Sequence, residues 1–251
     1  MKNQQQGFTL IEIAIVLVII GLLLGGVLKG QELITSARVR NMISQQDGIK
    51  AAYFGFLDRY RALPGDYAQA QAVANIKGVT AGGNGNGQIE AGAESILAWD
   101  HLSHAGFING SYASDGSITT DSDATTPKNP YAGYLQLIYD NVYSDAGTAS
   151  MRHNLKTGIQ VPVNILAEVD RKIDDGNPQG GAFRFSVYPG GTTNPPTAAT
   201  CIDTTTTPAS WKVAGEQNNC GAASIFIRKF TTRKKPAAAG FLLPEPAQGH
   251  G

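Results

Sequence analysis

Few residues of this 251-residue chain are placed for chemistry, and the most conspicuous is one carboxylate. Glu12 is the only charge between Phe8 and Leu28, a run of 21 residues reading FTLIEIAIVLVIIGLLLGGVL. A carboxylate on an apolar helix costs on the order of several kcal/mol unless a partner or a proton neutralises it. Asp174, Asp175 and Asn177, within KIDDGNPQGG, cluster oxygen donors of the kind calcium takes. The same residue types also favour turns for backbone reasons. Asn84 to Glu90 alternates oxygen donors with glycine like a calcium loop, yet Gly82 and Ala93 stand where its first Asp and last Glu belong. His101 and His104 share a helix face, but with only Asp100 nearby they are too few for a metal. In a head domain outside the cytoplasm Cys201 and Cys220 pair as one disulfide; in a reducing compartment they are two unrelated thiols.

Other chemistries find no support. No GxSxG, GKS/T or HExxH occurs, and one of the four histidines sits in the tail, so the chain reads as a non-enzyme. Twenty basic and twenty acidic residues cancel, and charged residues are only 16% of the chain, which argues against a nucleic-acid partner.

The elements that must carry these residues follow from hydropathy and punctuation. As a helix, Phe8 to Leu28 extends about 31 Å, the thickness of a bilayer's hydrocarbon core. An ordinary secretory signal has its small cleavage-site residue after the apolar stretch; here Gly7 comes before it. Leu33, Ile34, Ala37, Met42, Ile49, Ala52, Tyr53, Phe56, Leu57 and Tyr60 continue as one amphipathic stripe, which Pro64-Gly65 stops. The spacing thus predicts one helix from Phe8 to about Ala62, roughly 80 Å long. Beyond it, Asp66 is placed to cap a short helix, and a glycine-rich loop runs from Gly78 to Glu94. Helices are expected over Glu94–Phe107 and from Pro162 to Ile173, and strands over Tyr134–Asp140, Ala182–Tyr188 and Ser224–Phe230. The class is α+β, a long helix packed against a small antiparallel-sheet head.

Gly7-Phe8-Thr9-Leu10-Ile11-Glu12 resembles the prepilin processing motif of type IV pilins and type II secretion pseudopilins. The resemblance implies a pilin-like fold and cleavage after Gly7 by prepilin peptidase, a membrane-embedded aspartic peptidase that methylates the new amine of Phe8. It divides the chain into a leader (1–7), a transmembrane and filament-core helix segment (8–28), its amphipathic continuation (29–62), a soluble head (63–232) and a tail (233–251). Glu12 would meet the Phe8 amine of a neighbouring subunit and set the assembly register. The implied partners are copies of the chain, the peptidase, an inner-membrane assembly platform with its ATPase, and membrane lipid before assembly. The precursor would sit in the bacterial inner membrane and the product in an extracellular or periplasmic filament. Lys29, Arg38 and Arg40 outweigh Lys2 in the charge bias, so orientation rests on the leader. KIDDGNPQGG is similar to a helix-to-strand segment of pilin-like proteins, and such proteins often carry a disulfide near the C-terminus. Many type IV pilins have a proline past the first apolar stretch; here Gly21, Gly25, Gly26 and Gly30 loosen the helix or pack it closely against neighbours. The expected role is a filament subunit, with a minor pilin, tip adhesin or secretion pseudopilin as alternatives.

Overall fold

The computed structural model describes residues 9–215 and 217–226. Gly7, Phe8, the tail from residue 233 and the end of the strand expected at 224–230 lie outside the described residues. Helix α1 runs unbroken over Leu10–Tyr60, about 77 Å at the α-helical rise. Its first half buries nothing: every residue from Leu10 to Lys29 is exposed, and the first buried side chain is Val39. By length and composition the helix is fit to cross a membrane. Arg61 ends it in a left-handed conformation, its N–H donating to the Leu57 carbonyl.

Five elements then build most of the head: α2 (Gln69–Asn75), α3 (Ala93–His104), β1 (Gln136–Asp140), β2 (Arg152–Lys156) and α4 (Val163–Ile173). They are followed by β3 (Phe183–Phe185), α5 (Ala198–Cys201), the short pair β4 (Ile202–Asp203) and β5 (Ser210–Trp211), and β6 (Ala222–Ile225). The main sheet is antiparallel in the order β1-β2-β6-β3, so β6, the last strand among the described residues, lies inside the sheet between β2 and β3. Leu155 pairs with Leu137 on one side and Ser224 on the other, which fixes the register of the middle.

The second half of α1 packs one stripe against two core clusters. Val39 and Met42 meet Val163, Leu166 and Val169 of α4 together with Phe183, Phe185 and Trp211. Further along, Ile49, Ala52, Tyr53 and Phe56 meet Trp99 and Leu102 of α3 and Leu137 and Leu155 of the sheet. Gly55 belongs to this packing, since a Cβ there would lie 2.8 Å from the Phe107 ring. The outcome is an α+β protein with a long N-terminal helix and a four-stranded antiparallel sheet.

Two expectations are corrected. Asp66 caps no helix: α2 starts behind Ala68 with no side-chain cap, and the Asp66 carboxylate turns to the glycine-rich loop instead. The strand expected at Ala182–Tyr188 is only Phe183–Phe185, the three residues that pair with Ala222, Ala223 and Ser224 of β6.

Candidate functional site

The site with the clearest chemistry is the start of α1. Thr9 is its N-cap, and Glu12 stands three residues on. The Thr9 hydroxyl accepts from the Glu12 N–H at 3.3 Å, and Glu12 Oε2 accepts from the Thr9 N–H and hydroxyl, both at 2.8 Å. This is a reciprocal capping box, which also sets a negative charge against the positive end of the helix dipole. The S/T-x-x-E signal of this cap, Thr9 to Glu12, is present in the sequence, overlaid by the apolar run around it. Both contacts use Oε2, so Oε1 has no partner among the described residues. Glu12 therefore offers a free carboxylate oxygen on a bare apolar helix.

A second group of carboxylates lies where α4 gives way to β3. Asp170, Asp174 and Asp175 each bring an oxygen within 4.8 Å of the others. Asp174 Oδ2 accepts from the backbone N–H of Ala182 and, at 2.8 Å, of Phe183. Asp175 Oδ1 accepts from the Asn177 N–H at 2.9 Å, and Asn177 Oδ1 from the Gln179 N–H at 3.0 Å. Asp170 is wholly buried and takes the Trp211 indole N–H at 2.6 Å. Burial pushes its pKa up to about 6, against the pull of that hydrogen bond and with help from the charges of Asp174 and Asp175. Nothing in the sequence singles out Asp170, which looks like one more polar residue of an amphipathic helix. Its partner Trp211 is 41 residues away. The three carboxylates are hard oxygen donors of the kind calcium takes, short of the roughly six to eight ligands of a full calcium shell.

The histidines do not act together. His101 is fully buried and stacks on Phe56 at 6.1 Å; Nδ1 accepts from the Gly65 N–H at 3.0 Å while Nε2 donates to the Ala81 carbonyl at 3.1 Å. Burial pushes its pKa down to about 4, so the ring is neutral and ties α3 to the turn after α1. His104 instead contacts Asp100 at 2.5 Å. Cys201 and Cys220 form a disulfide with a Cα separation of 5.8 Å, stapling the β4–β5 excursion beside α4.

One buried ion pair had no signal in the sequence. Lys156 of β2 donates to Asp140 Oδ1 at 2.8 Å and to the Val142 carbonyl at 2.7 Å, and its ammonium lies 5.7 Å from the Tyr143 ring centre. The pair sits on the sheet face opposite α1 and anchors the loop that follows β1.

Neither the curated proteins nor the solved structures contain a match to the chain. The N-terminal segment, with Glu12 and its cap inside it, matches the family model of the prokaryotic N-terminal methylation motif over residues 2–28, and the chain therefore carries the type IV pilin and pseudopilin signature.

Proposed function

We propose that the chain is a structural subunit of a type IV pilus or pilus-like filament. In this reading it is cut by prepilin peptidase after Gly7, methylated on Phe8 and assembled through its N-terminal helix. The observation that carries the reading is the bare half of α1: twenty consecutive exposed residues, Leu10 to Lys29, led by one capped carboxylate with a free oxygen. In the bilayer that surface is solvated by lipid; in a filament it is covered by the same surface of other copies. Glu12 then selects the register, because only one stagger brings its Oε1 to a neighbour's Phe8 ammonium. The motif supports the coarse assignment. A minor pilin, tip adhesin or secretion pseudopilin shares every feature of α1, and abundance in sheared filaments separates these from a major subunit.

The test is Glu12→Ala, expressed beside the wild-type chain. The variant should be processed and membrane-inserted yet absent from filaments. Normal filament yield from Glu12→Ala would remove Glu12 from the assembly step. We also propose calcium as the ion for Asp170, Asp174 and Asp175, supported by the convergence of their oxygens.

A further inference from the structure

The glycine-rich loop holds a chemical problem and its answer. It contains two Asn-Gly steps, Asn84-Gly85 and Asn86-Gly87, and all four residues are exposed. Asn-Gly is the dipeptide most prone to deamidation. The glycine nitrogen loses its proton and closes on the asparagine Cγ, ammonia leaves and a succinimide forms; water then opens the ring to aspartate or isoaspartate. No side chain on glycine hinders the attack.

The geometry of the loop suits these dipeptides. Gly85 and Gly87 have φ of 75° and 84°, which glycine tolerates at no steric cost. Asn84 and Asn86 each accept from the N–H two residues on, at 2.9 Å, making successive Asx turns. Their amide groups also donate to Glu90, at 3.4 and 2.9 Å. The turn geometry thus favours the vulnerable sequence twice.

Both attacking nitrogens are held by a single side chain. Asp66 is buried, and its Oδ1 accepts from the Gly85 N–H at 2.8 Å and the Asn86 N–H at 3.0 Å. Its Oδ2 accepts from the Gly87 N–H at 2.7 Å. Glu94 grips the same loop at other points, taking the N–H groups of Asn84 at 3.0 Å and Glu90 at 2.9 Å, and touches neither glycine nitrogen. We propose that Asp66 guards the two Asn-Gly steps, keeping the Gly85 and Gly87 amides protonated and turned away from the neighbouring asparagine Cγ atoms. Deamidation then requires the loop to leave Asp66. Each charge-assisted hydrogen bond lost in that opening lowers the reactive population by roughly tenfold or more.

The consequence of losing the guard is also physical. An aspartate at 84 or 86 adds a carboxylate beside Glu90 and removes a donor that Glu90 now uses. Isoaspartate lengthens the backbone by one methylene, which breaks the spacing of the N–H groups around Asp66. Guarding the loop matters most for a protein that is not replaced after export, but the inference stands without the filament reading.

Asn109-Gly110 supplies an internal reference, since it is exposed and no hydrogen bond holds the Gly110 N–H among the described residues. The detergent-solubilised full chain is incubated in mildly alkaline buffer, and deamidation at Asn84, Asn86 and Asn109 is followed by peptide mass spectrometry. Native Asn84 and Asn86 should react at least about tenfold more slowly than Asn109, and than the same residues in the urea-denatured chain. Asp66→Asn should raise both to about the Asn109 rate, with Asn109 unchanged, while Glu94→Gln leaves them slow. The proposal is overturned if native Asn84 and Asn86 react as fast as in the denatured chain. It is equally overturned if Asp66→Asn leaves them slow or slows them further, the second marking Asp66 as a base, or if Glu94→Gln accelerates them as much, marking general rigidity. Should Asp66→Asn not fold, the native-to-denatured ratio decides together with hydrogen exchange of the Gly85 and Gly87 amides, which must be slow.

Discussion

Acid should loosen the head at His101, and the size of the effect follows from its surroundings. The ring is buried between Phe56 and the turn at Gly65, with Nδ1 used as an acceptor. A proton there would meet the Gly65 N–H head-on, inside a fully buried site. Its pKa is accordingly lowered from 6.5 to about 4, chiefly by burial. A lowered histidine pKa means that the unfolded chain takes the proton first. Stability is then full above about 6.5, falls as the pH drops and levels off below about 4. At about 1.4 kcal/mol for each pH unit of that window, the linkage amounts to about 3 kcal/mol. Asp170 acts in the opposite sense: its pKa is raised to about 6, so the folded chain binds that proton first and gains stability as the pH falls below 6. His153, lowered to about 4 by burial as well, adds to the acid loss, so a wild-type curve alone does not isolate His101. The assay is urea denaturation of the full chain in detergent with chelator, from pH 7.5 to about 4, for wild type and His101→Gln. The difference between the two curves should shrink by about 3 kcal/mol on acidification, because only the wild type has the ring to protonate. A difference independent of pH would refute the reading of His101 as a neutral buried acceptor.

Two other outcomes are expected. Lys156→Met leaves the Asp140 carboxylate facing a buried site without its cation and should cost about 3–5 kcal/mol in urea denaturation, whereas the double variant Asp140→Asn/Lys156→Met should recover most of the loss. Equal stabilities for single and double variants would mean that the pair is not coupled. Calcium added to chelator-treated protein should bind with measurable heat in calorimetry and raise the melting temperature, and Asp174→Asn with Asp175→Asn should abolish both. The absence of heat and of any thermal shift in the wild type would end the calcium proposal.

The features that sequence made legible are those set by neighbours in the chain. The apolar run from Phe8, the three- and four-residue spacing from Met42 to Tyr60 and the stop at Pro64-Gly65 mark α1 to within two residues of its ends, at Leu10 and Tyr60, although Leu33, Ile34 and Ala37 of the expected stripe are exposed. Val163–Ile173 was readable for the same reason, with Pro162 at its N-cap. Strand β2 was not. Arg152-His153-Asn154-Leu155-Lys156 has one apolar residue, and its burial depends on Asp140 and the Val142 carbonyl across the sheet. The roles of Asp66 and Asp170 were hidden too, since their partners lie 19 to 21 and 41 residues away and no local pattern marks such pairs. At the N-terminus the opposite holds: the motif and its carboxylate fall within six residues, so both are legible in the chain itself, while the Thr9 cap emerges only with the helix.

The most direct test of the central claim is mass spectrometry of the N-terminal peptide of the mature protein, recovered from sheared filaments. The account predicts a peptide that begins at Phe8 and carries a methyl group on its amine, in a filament made of this chain. A mature protein that retains Met1 to Gly7 would contradict it.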